Sequence, residues 1–409
     1  MAAPAGAPFP LPVPAAAQPE LRCHDNDVVG LGDPGLINRI QGTAAARSVP
    51  FNVTLELTLN CNIRCLHCYN LDRDQPRATA CGSGDGAAVA AGRPEMSLQE
   101  ILALMGDLRD AGCLILGLTG GEVLSYPHLF AVLDRARELN LAVQLLSNGT
   151  LLRPGIAARL AKYRNLLGVS ISLYGATADV HDGITQIAGS WRRTWDGAER
   201  MRAAGVAVRL KFIVMRPNAH EVAEMRAQAD ARGFSHLVDV TITPRHDGTR
   251  GSLAMRITEA QLAELYRGPL RDLLPKGPAD ITDANFRCNC ARGNCAISVT
   301  GDVQPCVSVP WSAGNVRERP FLDIWRYSPV FQKIRGLRVA DYASCAPCPD
   351  KPYCSGNRGA AFNYSGSYTG IDPFVCRTAA ITREVVTSPA PAAAPDATPA
   401  KAAPSSSIG

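Results

Sequence analysis

Three cysteines stand within eight residues in the run LNCNIRCLHCYN at 59–70, spaced Cys61-x3-Cys65-x2-Cys68. Eight more of the chain's 14 cysteines lie between 288 and 376, and only Cys23, Cys81 and Cys113 stand apart. Thiols grouped this way in a 409-residue chain point to metal ligation. A disulfide scaffold is normally shorter and exported. Residues 1–18 contain no Lys or Arg, so they lack the basic start of a secretory signal. The expected location is the cytoplasm, where thiols stay reduced. Three thiolates on one loop can hold three corners of a cubane iron–sulfur cluster and leave the fourth iron to an outside ligand. The competing reading, structural zinc, wants four protein ligands, and this loop offers three cysteines and His67.

The rest of the chain has the composition of a folded globular protein. Apolar residues make up 46% and the net charge is only +5, which gives no electrostatic case for nucleic acid or a membrane surface. No apolar run is long enough to span a bilayer. Residues 1–20 and 386–409 are Ala/Pro/Ser mixtures, read as flexible tails, and 72–94 reads as an inserted loop in which Cys81 is incidental.

Between 51 and 245, β-branched runs alternate with helical stretches. Strands are expected at 51–59, 114–119, 142–147, 167–173, 206–215 and 237–243. Helices are expected at 97–111, 128–138, 194–204, 221–232 and 258–274, the first opened by a Ser97/Glu100 capping box. Six strand–helix units argue for parallel pairing. They are too few to close an eight-stranded barrel, so the fold class expected is α/β, a partial (β/α)6 TIM-like barrel with its chemistry at the C-terminal strand ends. The expected organisation is an N-terminal extension over 1–50, the barrel over 51–250, a linker helix over 251–284, a small Cys-rich domain over 285–380 and a tail over 381–409.

The CxxxCxxC loop resembles the signature of the radical S-adenosylmethionine (SAM) superfamily, and further motifs follow in order. Tyr69 stands after the third cysteine, where the family has an aromatic residue near the adenine. Gly120, Gly121 and Glu122 resemble the GGE motif, whose backbone and carboxylate contact the SAM amino group. Ser147-Asn148-Gly149 resembles SNG at the end of the third strand. Ser170 and Ser172 occupy the fourth-strand position that contacts ribose or methionine. Lys211 on the fifth strand is the expected partner of the SAM carboxylate, with Arg209 competing on the same face. The resemblance implies a [4Fe–4S] cluster on Cys61, Cys65 and Cys68. It implies reductive cleavage of SAM and hydrogen abstraction by the 5′-deoxyadenosyl radical, with an external donor such as flavodoxin or ferredoxin supplying electrons.

The later cysteines, Cys290-x10-Gly301-x4-Cys306 and Cys345-x2-Cys348-x5-Cys354, resemble the SPASM extension, which usually houses two auxiliary [4Fe–4S] clusters. By that resemblance Cys345, Cys348, Cys354 and Cys376 hold the distal cluster, and Cys295, Cys306 and one of Cys288 or Cys290 serve the nearer one. Arg358 stands where the family commonly has the cysteine that completes the nearer cluster. Either the extra cysteine of the Cys288/Cys290 pair substitutes, which the thiol count favours, or that cluster keeps an open iron. A zinc ribbon is the plain alternative for the region. Cys113 reads as a buried small hydrophobe and the four tryptophans as packing residues. Relatives of this type mostly modify ribosomally made peptides, and a minority act on tetrapyrroles or other small cofactor precursors. A non-catalytic electron-transfer role fits poorly with an intact SAM site. The segment before the barrel looks too short for a peptide-recognition domain, so leader recognition would fall to a separate protein or to the barrel.

Overall fold

The computed structural model describes residues 34–70, 93–286 and 288–388. Cys23, Cys81, residues 1–20 and most of the 72–94 insertion lie outside them.

Six parallel strands form the expected array: β1 (Asn52–Glu56), β2 (Ile115–Thr119), β3 (Ala142–Ser147), β4 (Leu166–Leu173), β5 (Val208–Ile213) and β6 (Ser235–Asp239). They pair in chain order, each with the next, and β6 is a free edge of the sheet. Helices Leu98–Asp110, Leu129–Glu138, Ser190–Ala203 and Val222–Ala231 cover the outer face. The first is held at its start by the Ser97/Glu100 capping box. Strand residues of one parity (Val53, Leu55, Leu116, Leu118, Val143, Leu145, Ile171, Leu210) are fully buried against these helices. The other parity points into the barrel and carries the polar side chains, among them Asn52, Thr54, Gln144, Ser172 and Lys211.

The Cys-rich segment does not stand apart from this sheet. Strand β7 (Asn294–Ile297) adds in parallel to the other edge of β1, and β8 (Val303–Gln304) returns antiparallel to it. The sheet therefore has eight strands in the order β6-β5-β4-β3-β2-β1-β7-β8. The expected tail begins later than the composition suggests. Helix Pro373–Thr387 runs through 381–387 because Ile381 and Val385, one turn apart, bury against Leu262 and Leu265 of helix Glu259–Arg267. Among the described residues no helix is long and apolar enough to cross a membrane.

Candidate active site

A cavity of about 320 Å³ opens inside the barrel. Cys61, Cys65 and Cys68 line it from the loop after β1, together with Tyr69, Gly120, Gly121, Ser147, Asn148, Ser172 and Lys211. These positions come from the ends of five different strands, as a parallel β/α array dictates. Ser170 lies one step below Ser172 and accepts a hydrogen bond from Gln144 Nε2 at 2.9 Å; Gln144 rather than Ser170 lines the cavity. Of the two fifth-strand candidates Lys211, not Arg209, lines the cavity.

The GGE segment holds the cysteine loop in place. Gly121 N–H donates to Thr58 O at 2.6 Å and Glu122 N–H to Asn60 O at 2.8 Å. A Cβ on Gly120 would lie 2.3 Å from Thr58 O, and one on Gly121 would lie 2.4 Å from Asn60 O. Gly120 also has φ +144°. The close approach is therefore between two backbone segments, and it fixes the residues leading into Cys61.

Glu122 sits behind the cavity wall. Its side chain is 1% exposed and turned away from the cavity. Oε1 accepts from Ser147 Oγ at 2.7 Å and Leu124 N at 3.0 Å, and Oε2 accepts from Asn148 N at 2.7 Å. Burial raises its carboxyl above the usual carboxylate range, an effect these three donors only partly offset. The carboxylate thus clamps β2 to β3. Asn148 in turn reaches the cysteine loop, with Nδ2 donating to Asn62 Oδ1 at 2.9 Å and lying 3.8 Å from Cys61 Sγ.

Several cavity residues carry no motif of their own. Tyr174, just beyond β4, is buried; its hydroxyl is pushed well up by burial and then by the neighbouring Cys65 and Cys68 thiols. His67 and His246 are lowered to about 4, both chiefly by burial, and Lys211 adds to the shift at His67. The two imidazoles are therefore neutral at pH 7. Tyr69 is seated against His246 with ring centroids 4.9 Å apart. Glu56, on the inward face of β1, is buried beneath Asn70. The period-2 pattern of β1 was a usable signal for Glu56; for His246, in the loop after β6, there was none.

The later cysteines divide three ways. Cys376 is pushed up to about 11 by burial and then by the neighbouring Cys354, Cys345 and Cys348. Cys288, Cys290 and Cys306 line the barrel cavity, with the first two sulfurs 3.0 Å apart. Cys295 does not join them. It sits in β7 beside Val53, whose side chain faces the helices, while Asn294 beside Asn52 faces the cavity. Strand alternation places Cys295 in the outer core near Cys113, which burial also pushes up, to about 12. Arg358 lines the cavity near the three inward thiols. Among the described residues no group of three His, Cys, Asp or Glu side chains is arranged for a single metal ion.

The donor set fits iron–sulfur chemistry. Three thiols share one loop, three more neighbour Cys376, and three face the barrel, all of them soft ligands. Residues 55–229 match the Radical SAM superfamily, and 288–349 match SPASM, an iron–sulfur cluster-binding domain. The chain is a radical SAM enzyme with a SPASM domain, and its cofactors are [4Fe–4S] clusters and SAM. It is 28% identical over 360 residues to the AdoMet-dependent heme synthase of Methanosarcina barkeri, covering 81% of this chain and 97% of that one. It is 28% identical to the mycofactocin maturase MftC of Mycobacterium ulcerans, covering 79% and 87%. The crystal structure of Streptococcus suis SuiB bound to S-adenosylmethionine shares the fold, with a TM-score of 0.59 at 16% identity over 83% of this chain and 81% of that one.

Proposed function

We propose that this enzyme modifies a ribosomally made peptide by hydrogen abstraction inside the barrel. The observation that carries the reading is the single cavity joining the Cys61/Cys65/Cys68 loop to Cys288, Cys290 and Cys306. A substrate there touches both the radical site and an auxiliary site. Similarity to the maturase MftC and to the subtilosin biosynthesis protein AlbA of Bacillus subtilis supports a peptide.

Cys61, Cys65 and Cys68 would hold the cluster that binds SAM, and Cys345, Cys348, Cys354 and Cys376 a distal auxiliary cluster. Bound there, cluster and SAM supply reductive cleavage of the S–C5′ bond and hydrogen abstraction. The chain's own part is positional. Tyr69 offers a ring face for the adenine, and Lys211 a cation for the SAM carboxylate. Gly120 and Gly121 present backbone for the SAM amino group, with Ser147, Asn148 and Ser172 completing the wall. Ser170 and Glu122 act from behind it, through Gln144 and Asn148. The imidazoles of His67 and His246 are neutral, and the basic side chains on the cavity wall are Lys211 and Arg358. An external one-electron donor and, where a leader must be read, a separate leader-binding protein complete the system, which we place in the cytoplasm.

A second reading is favoured by the heme synthase of M. barkeri, nearly all of which this chain covers. It takes a carboxylated tetrapyrrole as substrate. The test supplies the anaerobically reconstituted enzyme with SAM, dithionite and either a synthetic peptide encoded beside the gene or a tetrapyrrole carrying propionates. Peptide-dependent 5′-deoxyadenosine with a mass change in the peptide supports the first reading. The same response to the tetrapyrrole alone replaces it with the second. Cys65→Ala abolishes 5′-deoxyadenosine in either case; unchanged production in that variant defeats both.

A further inference from the structure

The region 288–376 contains eight thiols, enough on paper for two fully ligated clusters. Strand geometry removes one of them. In the β7–β8 ladder Ala296 pairs with Gln304 and Ile297 with Val303, and beyond it Cys306 bridges Val309 while Cys290 bridges Asn294. Successive residues of a strand point to opposite faces. Asn294 lines the cavity, as do Cys290 and Cys306, and Cys295, one residue on from Asn294, points to the helices. Bringing its sulfur through the sheet would require a one-residue slip of β7 against β1, which would turn Ile297 out of the core as well.

The place of a fourth thiol is taken by Arg358. Its guanidinium has no lone pair to give a metal. Nε donates to Gly356 O at 3.2 Å, Nη1 to Gly370 O at 3.0 Å and to Tyr368 O at 3.3 Å, and the group lies 4.9 Å over the ring of Tyr342. It is 4% exposed and ties down the loop that brings Tyr368 inward. The Tyr368 hydroxyl is itself buried, with no partner among the described residues, and lies within electrostatic reach of Cys288, Cys290 and Cys306. An orphaned buried hydroxyl beside three thiols is a donor awaiting an acceptor, which a cluster sulfide would be.

We propose that Cys288, Cys290 and Cys306 alone hold the nearer auxiliary cluster, and that its fourth iron faces the barrel cavity, open to an anionic donor atom of the substrate. Arg358 is a positioning residue that shapes this opening. The inference rests on reading residues 288–376 as two auxiliary iron–sulfur sites.

The test uses the full chain carrying Cys61→Ala, Cys65→Ala and Cys68→Ala, so that only auxiliary clusters remain. After anaerobic reconstitution and reduction, ¹³C-cyanide is added as the probe and pulsed EPR reads any ¹³C hyperfine coupling to the cluster. About eight irons per chain are expected, with a ¹³C coupling that disappears on Cys290→Ala. Arg358→Cys supplies a fourth thiol, so it keeps the iron and loses the coupling. Cys295→Ala keeps both. Absence of coupling at full iron, coupling that survives Arg358→Cys, or loss of about four irons in Cys295→Ala overturns the proposal. Iron well below eight in the starting chain defeats the auxiliary-site reading itself. The first and last measurements hold whether or not the Arg358 variant folds.

Discussion

Glu56 offers the sharpest test of how this barrel is built. It stands on the inward face of β1, in register with Thr119, and is 6% exposed. Asn70 donates to it, but Oε1 has no partner among the described residues. Burial outweighs that single bond and raises the carboxyl from 4.5 to about 7. The folded state therefore holds this proton more tightly than the unfolded chain does. The cost of ionising the buried group is absent below pH 4.5, grows as pH rises, and is complete above about 7. A displacement of that size corresponds to about 3 kcal/mol, a large part of the ~5–15 kcal/mol that stabilises an ordinary domain. Glu56→Gln keeps the shape and the bond to Asn70 but has no charge to desolvate. Urea unfolding of both proteins at pH 5 is expected to give closely similar midpoints. At pH 8 the variant is expected to be the more stable, by up to about 3 kcal/mol. A difference that stays constant between pH 5 and 8, or a variant weaker at pH 8, would refute the argument that Glu56 is buried and uncompensated.

Three further outcomes follow from the same geometry. Gly121→Ala places a Cβ 2.4 Å from Asn60 O and 2.5 Å from Leu59 O, so the backbone before Cys61 must move; 5′-deoxyadenosine formation should fall by roughly a hundredfold, and near-normal rates would show that the cysteine loop tolerates the shift. Glu122→Gln turns an amide donor toward the Asn148 N–H and should cost about 1–3 kcal/mol in denaturant unfolding; an unchanged midpoint would mean the clamp contributes nothing. Cys348→Ala should lose about four irons per chain while SAM cleavage persists; a full iron complement would remove Cys348 from the distal site.

How much was legible depended on the range of the signal. All six barrel strands lie within or beside the expected runs, and the Ser97/Glu100 box opens its helix as read, because those signals are local. The cysteine loop and the GGE and SNG turns were legible as an ordered series at strand ends. The role of Glu122 was not, since its donors Ser147 and Asn148 come from the next strand and only the fold places them around the carboxylate. Cys295 misled for a related reason. The thiol count treats every cysteine of the region alike, whereas its direction is set by pairing with Val53, far upstream in sequence. The late helix over 381–387 was hidden by the Ala/Pro-rich composition that follows it.

The pairing of β7 with β1 also sets the distance over which the enzyme must work. Because Asn294 lies level with Asn52 and bridges Cys290, the inward thiol Cys290 sits near the start of β1, while Cys61 follows its end. From Asn52 to Glu56 is four steps of ~3.3 Å, so the two sites are offset by roughly 13 Å or more along the barrel. No flexible linker sets that offset; the backbone ladder of the sheet does. A substrate donor atom fixed at the nearer auxiliary site would therefore present to the radical only the groups about one strand length away. If the nearer auxiliary site anchors the substrate, lengthening or shortening the segment between anchor and reacting carbon should move the site of abstraction rather than merely slow it.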